Sequence, residues 1–124
     1  MNTIRFGRLQ LRIMKILWRR TRANAREITD ALNEQAPVAH STVQTLLRKL
    51  ERKGAIAHEI EDRTFVFIPL VEEQKATRSV TREFLDGVFG GSVAGLMAHL
   101  LKNEKIPRKE WERIRKLIDE QEER

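Results

Sequence analysis

The feature of this sequence that most constrains its fold is an apolar stripe within residues 41–52. Four large aliphatic side chains recur there at i, i+3, i+4 and i+7, the spacing of one face of an α-helix. They are Val43, Leu46, Leu47 and Leu50. The opposite face then carries hydroxyls, an amide and cations, namely Ser41, Thr42, Gln44, Thr45, Arg48, Lys49 and Arg52. Because such an apolar face needs a core to cover it, the segment is predicted to be a helix that packs on a core and exposes its polar face.

Two shorter amphipathic segments precede this helix. In residues 8–20 apolar side chains repeat at helical spacing. Cations occupy the other face of that segment, at Arg8, Arg12, Lys15 and Arg19. Asn24 and Glu27 have the spacing of a capping box, so a second helix is predicted from about Ala25 to Glu34. Pro37 then predicts a turn before the third helix.

A β-hairpin is predicted after the third helix. Gly54 is expected to end that helix in the left-handed conformation. Two β-prone runs, residues 56–60 and 64–68, flank the turn Glu61-Asp62-Arg63. Three helices followed by a hairpin is the order of a winged helix-turn-helix domain, which is predicted here for residues 1–70.

The remaining residues, 71–124, carry apolar stripes on three short helical segments, separated by Gly90-Gly91 and by Pro107. Three such helices are too few to enclose a core alone, so the same faces of a second chain are expected to cover them in a homodimer. The residues predicted at this interface are Phe84, Val88, Val93, Leu96, Met97, Leu100, Leu101, Trp111, Ile114, Leu117 and Ile118. The predicted fold class is mostly α with a small β wing, in which a C-terminal helical dimerisation region follows the winged helix.

The positive charge of the chain lies in its N-terminal half. Residues 1–70 contain 13 Lys or Arg and 7 Asp or Glu, so their net charge is +6, whereas residues 71–124 contain 11 of each and are neutral. A basic half joined to a neutral amphipathic half is typical of a nucleic-acid-binding domain that is tied to an oligomerisation element.

The exposed face of the third helix has residue types that recognise DNA. A helix-turn-helix domain places its second helix in the major groove, which admits one α-helix. Gln44 can bond adenine bidentately, Thr42 and Thr45 can offer a methyl to thymine or a hydroxyl to a phosphate, and Arg48 can reach guanine or the backbone. The predicted phosphate contacts are Lys49, Arg52, Lys53 and Arg63. Double-stranded DNA is therefore the predicted partner.

Several function classes are excluded by residue usage. The chain has no cysteine, so disulfides, thiolate metal clusters and a cysteine nucleophile are absent. Its histidines, His40, His58 and His99, are accompanied by no catalytic or metal-binding motif, so no enzyme, metal or cofactor is predicted. They are interpreted as structural residues before the third helix, on the wing and on a polar helix face. No apolar run has the length of a membrane span, so a cytoplasmic protein without membrane insertion is expected.

Three blocks of the chain resemble the penicillinase-repressor family, the BlaI/MecI/CopY type of bacterial winged-helix transcriptional repressors. The blocks are Ile13-Met14-Lys15-Ile16-Leu17-Trp18, the run from Ser41 to Leu50 with Lys53-Gly54-Ala55-Ile56, and Phe89-Gly90-Gly91-Ser92-Val93. The resemblance implies a homodimer that binds a palindromic operator and represses genes for β-lactam resistance or metal homeostasis. It also implies base-reading roles for Ser41, Thr42, Gln44 and Thr45, with Arg48 nearby.

The resemblance bears differently on two ways of releasing a repressor. Members that sense copper through a C-terminal cysteine motif are excluded as models, because this chain has no cysteine. Members that are released by a membrane zinc metalloprotease are cut at an Asn-Phe bond in the helix after the Gly-Ser, and the matching bond here is His99-Leu100. Two alternatives follow from this difference: cleavage at His99-Leu100, or a response to another signal.

The alternative function from another class is a winged helix that binds a protein partner instead of DNA. That alternative predicts a third-helix face that has lost its positive charge. Arg48, Lys49, Arg52 and Lys53 keep the charge, and so they favour DNA.

Overall fold

The computed structural model describes residues 4–123, which form six helices and three short strands. In chain order the elements are α1 (Arg8–Arg20), β1 (Ala23–Asn24), α2 (Ala25–Asn33), α3 (His40–Arg52), β2 (Ile56–Glu61), β3 (Thr64–Pro69), α4 (Glu73–Phe89), α5 (Val93–Asn103) and α6 (Arg108–Glu122). The chain divides into two compact units, with the boundary between Arg82 and Glu83. The predicted helices and hairpin are confirmed, and β1 is an additional strand that the sequence did not predict.

The core of the first unit is built from the apolar faces of α1, α2 and α3 together with the sheet. Its buried residues are Ile13, Met14, Leu17, Ala23, Ile28, Leu32, Val43, Leu47, Leu50, Ala55, Ile56 and Phe67. Three of the four residues in the predicted α3 stripe are therefore buried. The fourth, Leu46, packs at the edge of the core and is only half-buried.

Local capping fixes the ends of the helices that carry the site. The Asn24 side chain accepts a hydrogen bond from the Glu27 amide (2.8 Å), and the Glu27 carboxylate accepts one from the Asn24 amide (2.9 Å). This is the predicted capping box at the start of α2. At the end of α3, Gly54 has φ of +82°, its N–H donates to Glu51 O, and the next N–H, of Ala55, donates to Leu50 O. These two bonds form a Schellman motif, as the predicted left-handed glycine requires.

The sheet is antiparallel, with strand order β1-β3-β2. In the register, Phe67 of β3 lies between Ala23 of β1 and His58 of β2. The hairpin turn consists of Asp62 and Arg63, whose φ angles of 48° and 66° are both positive, as a type I′ turn requires. Since that turn follows the right-handed twist of its strands, β2 and β3 extend together as a wing.

The second unit contains α5, α6 and the end of α4. Ser92 caps α5 by accepting a hydrogen bond from the Gly95 amide (2.9 Å). Neither α5 nor α6 contains a buried residue, so their apolar side chains remain partly or fully exposed in the single chain.

Within residues 4–123 no single helix is both long and apolar enough to cross a membrane. Only α4 and α5 taken together, across a sharp bend, reach the necessary length and composition.

Candidate nucleic-acid interface

Helix α3 exposes all five residues that were predicted to read bases. These are Ser41, Thr42, Gln44, Thr45 and Arg48, which we call the reading face. On the opposite side of the same helix, Val43 and Leu50 are fully buried and Leu47 is 1% exposed. The buried stripe therefore fixes the rotation of α3 about its axis, and it directs the polar side chains away from the core.

Two hydrogen bonds link side chains along the reading face. The Thr45 hydroxyl donates to the carbonyl oxygen of Ser41 (3.0 Å), and Arg48 Nη2 donates to the Thr45 hydroxyl (3.1 Å). Because the hydroxyl is already used as donor and acceptor, the methyl of Thr45 is the group best suited to meet a base. A methyl on this face can contact the C5-methyl of thymine.

The wing lies next to the reading face. A groove between α3 and the hairpin is lined by Gln44, Leu47, Arg48, Arg63, Thr64, Phe65 and Phe67. The structure therefore brings Arg63, a predicted phosphate contact from the hairpin turn, to the same groove as Gln44 and Arg48. These two residues are predicted to read bases.

The predicted phosphate contacts on α3 have different surroundings. Lys49 and Arg52 are exposed. Lys53, although exposed, directs its ammonium inward, where Nζ donates to the carbonyl oxygen of Arg5 (2.6 Å) and to Gln10 Oε1 (3.0 Å). Lys53 thus ties the end of α3 to the start of α1, a structural role that the sequence did not predict.

His40 is the first residue of α3 and is anchored by α2. The buried Thr29 hydroxyl donates to Ala25 O (2.8 Å) and lies 2.9 Å from His40 Nδ1. Since that hydroxyl has only one hydrogen, Nδ1 has to be the donor to it. The other ring nitrogen, Nε2, remains for an outside partner at the N-terminus of the helix, beside the reading face.

The sequence matches the family model described as penicillinase repressor over residues 6–120. The chain belongs to the penicillinase repressor family. The penicillinase repressor of Bacillus licheniformis is 26% identical over 111 residues, which are 90% of this chain and 87% of that protein. The methicillin resistance regulatory protein MecI of Staphylococcus aureus strain N315 is 25% identical over 107 residues, which are 86% of this chain and 87% of that protein.

Two solved structures of the repressor BlaI match the winged helix. The solution structure of the DNA-binding domain of the repressor BlaI has a TM-score of 0.54 and 32% identity, and the match covers 60% of this chain and 93% of that one. The solution structure of monomeric Bacillus licheniformis BlaI in complex with the blaP half-operator has a TM-score of 0.52 and 30% identity. That match covers 60% of this chain and 90% of the BlaI chain. The winged-helix fold is therefore confirmed for this member of the family.

The sequence did not predict an aromatic cluster on the wing. The rings of His58 and Phe65 stack at 3.9 Å with an interplanar angle of 8°, and His58 Nδ1 lies 2.7 Å from Glu51 Oε1. Phe65, which lines the groove beside α3, is 48% exposed. The alternation of Phe65 and Phe67 along β3 was the available signal, because residues i and i+2 of a strand share a face.

The residues predicted to form the dimer interface lie in the second unit. An apolar groove between α5 and α6 is lined by Met97, Leu100, Leu101, Ile106, Ile114, Leu117 and Ile118, with polar residues at its edge. Leu117 is 53% exposed, Val88 and Val93 are each 62% exposed, and Phe84 is 49% exposed. His99 and Leu100, which flank the predicted cleavage bond, are both on the exposed surface of α5.

The histidines form no metal site in the described part of the chain, where no group of three or more His, Asp and Glu could hold an ion. His40 and His58 have the partners given above. The ring of His99 meets that of Phe89 edge-on, at a centroid distance of 5.6 Å.

Proposed function

We propose that this chain is a transcriptional repressor that binds duplex DNA, with α3 in the major groove and the wing along the sugar-phosphate backbone. The observation that carries the proposal is the reading face of α3, which is exposed opposite a buried stripe and is flanked by cations on the helix and the wing. Membership of a family of repressors supports the proposal, and so does the BlaI structure, which was solved with a half-operator.

The proposed contacts divide into base-reading and positioning groups. Gln44 can form two hydrogen bonds to adenine, Arg48 can form two to guanine, and the Thr45 methyl can meet thymine. Ser41 and Thr42 begin the same face, one turn nearer the helix N-terminus. The positioning group contacts phosphates without reading sequence and consists of Lys49, Arg52, Arg63 and the one ammonium donor of Lys53 that makes no bond to Arg5 or Gln10.

We infer that the operator is palindromic, because the second unit offers the apolar surface of a two-fold dimer. Aliphatic side chains between α5 and α6 are exposed in one chain, and an identical surface on a second chain would cover them. A two-fold dimer places its two reading helices about 34 to 36 Å apart, one turn of DNA. Linking two half-sites raises the affinity through a high effective concentration of the second site.

Release by proteolysis in α5 is proposed for the same protein, with a membrane zinc metalloprotease as the enzyme and genes of β-lactam resistance as the targets. The bond His99-Leu100 lies inside a helix, and Asn103 Nδ2 donates to the carbonyl oxygen of His99 (2.9 Å). A protease must therefore unwind this turn before it can bind the extended chain. Cleavage there would separate α6 from the rest of the chain and divide the proposed dimer surface.

The repressor proposal is tested with duplexes that the intact protein selects from a random-sequence pool. Fluorescence anisotropy then measures affinity for the selected duplex and for random DNA over a range of salt concentrations. A dimer that neutralises roughly 6 to 10 phosphates should give a slope of log K on log salt near −0.9 for each contact. A slope near zero, or equal affinity for both duplexes, would contradict sequence-specific DNA binding and would favour a protein partner.

A further inference from the structure

A second basic surface lies on α1, the first helix of the chain. Four cations recur there at intervals of four, three and four residues, so they share one face. They are Arg8, Arg12, Lys15 and Arg19, which we call the α1 stripe. At 1.5 Å per residue the stripe is about 16 Å long. It is therefore a linear array of positive charge.

Among the described residues, no carboxylate is held in a salt bridge by the α1 stripe. Helix α1 contains no aspartate or glutamate, and within residues 4–123 no member of the stripe forms an ion pair. Arg12 donates instead to two neutral oxygens, Leu32 O (3.4 Å) and Gln35 Oε1 (3.0 Å). By contrast Arg22, just after the helix, pairs with Glu61 at 2.5 Å.

The arrangement is unfavourable for the helix itself. Like charges at i and i+4 repel each other, and Arg8 stands at the positive end of the helix dipole. Of the four cations, Arg19 alone lies in the last turn of α1, where the helix dipole favours a positive charge. An external polyanion is the kind of partner that these charges fit.

The α1 stripe and the reading face are separate surfaces. The opposite side of α1 is buried in the core through Ile13, Met14 and Leu17. The stripe borders a small cleft with the end of α2, where Leu32, Glu34 and Gln35 lie, whereas the reading face borders the wing. The two surfaces share no residue.

We propose that the α1 stripe binds the phosphate backbone of a second DNA duplex, so that a repressor bound to its operator holds another segment of DNA. Three of the four cations are arginines, whose planar guanidinium matches two phosphate oxygens. Insertion into a membrane would need exposed apolar side chains beside the charges, but Ile13, Met14 and Leu17 of α1 are in the core, and Leu9, Ile16 and Trp18 pack against it. The proposal goes beyond operator reading and rests on it only for the first duplex.

The test measures whether the operator complex captures a second duplex. An operator duplex selected by the protein is immobilised in excess over the protein, so that reading faces are occupied. Capture of a fluorescent duplex of random sequence is then measured over a range of salt concentrations. The stripe variant is Lys15→Gln with Arg19→Gln, two exposed residues outside the core. The matched control is Lys75→Gln with Arg78→Gln, which removes two exposed charges from α4.

We expect the wild type and the control variant to capture the second duplex at physiological salt. The stripe variant should capture much less of it. For capture of the second duplex, the slope of log K on log salt concentration should become shallower by about 0.9 for each phosphate contact that is lost. Operator affinity should stay unchanged. Equal capture by all three proteins, or none by the wild type, would overturn the proposal. A parallel loss of operator affinity would overturn it too, because the stripe would then lie along the first duplex. Failure of the wild type to bind any selected duplex contradicts the proposed function instead.

Discussion

Arg48 donates a hydrogen bond to the hydroxyl of Thr45, which lies three residues earlier on the exposed face of α3, over 3.1 Å. The same hydroxyl donates to the carbonyl oxygen of Ser41. The guanidinium is thereby held along the helix, and the methyl of Thr45 is left beside it. Thr45 consequently has two tasks in the proposed complex, contact with a base through its methyl and orientation of Arg48 through its hydroxyl.

Substitutions at Gln44 and Thr45 should separate sequence reading from general DNA affinity. Gln44→Ala and Thr45→Ala are expected to weaken binding to the selected operator by about 1 to 3 kcal/mol and to change binding to random DNA little, because base contacts carry specificity. Thr45→Val keeps a methyl, whereas Thr45→Ser keeps only the hydroxyl. Anisotropy titrations should therefore rank Thr45→Val above Thr45→Ser. The reverse order would show that the hydroxyl, through Arg48, is the more important group.

Neighbouring cations at the end of α3 should behave differently. Arg52→Gln is expected to weaken binding to operator and random DNA alike and to reduce the salt slope by about 0.9 per subunit, because it removes a phosphate contact. Lys53→Gln removes hydrogen bonds to Arg5 and Gln10 and should cost about 1 kcal/mol of folding stability. Thermal melts and salt titrations of both variants distinguish the two roles. If Lys53→Gln melted like the wild type and lost as much salt dependence as Arg52→Gln, its main role would be phosphate contact.

Local patterns predicted the helices, because their signals lie within one or two turns of the chain. The capping box of Asn24 with Glu27 and the left-handed Gly54 are examples of such signals. Strand β1 was missed because Ala23 and Asn24 have little strand propensity and become a strand only by pairing with β3, more than 40 residues away.

In the candidate site, too, features that depend on local sequence were predictable, and features that depend on contacts between distant segments were not. The exposed face of α3 follows from the spacing of its apolar residues. The inward direction of Lys53, the anchoring of His40 by Thr29 and the stacking of His58 on Phe65 depend on contacts between different elements. No periodicity of a single segment contains that information.

Replacing single leucines on the apolar face of α3 with alanine should reveal how deeply each leucine is buried. Leu50 is fully buried, so Leu50→Ala is expected to lower the free energy of unfolding by about 2 to 5 kcal/mol. Leu46, which is only half-buried, should cost less than Leu50 when changed to alanine. Chemical denaturation of both variants measures the difference. Equal losses would place Leu46 as deep in the core as Leu50, and unchanged stability in both would mean that the opposite face of α3 is buried.

The proposed dimer can be tested with two matched substitutions, each of which replaces an exposed leucine with glutamate. Leu117 on α6 is 53% exposed within the proposed dimer surface, and Leu70 in the first unit is 57% exposed outside it. Both lose little burial within one chain when changed to glutamate, so both variants should fold. Only Leu117→Glu would place a carboxylate against the apolar surface of a second chain, where desolvation is costly.

We therefore expect Leu117→Glu to sediment as a monomer and Leu70→Glu to remain a dimer. The monomer should bind the palindromic operator about 10² to 10⁴ times more weakly, because the second half-site no longer benefits from linkage to the first. Its affinity for a single half-site should equal that of one wild-type subunit, since α3 and the wing are unaltered. Dimeric sedimentation of Leu117→Glu with wild-type operator affinity would place the subunit interface elsewhere. A monomer that kept full operator affinity would contradict the proposal that dimerisation supports operator binding.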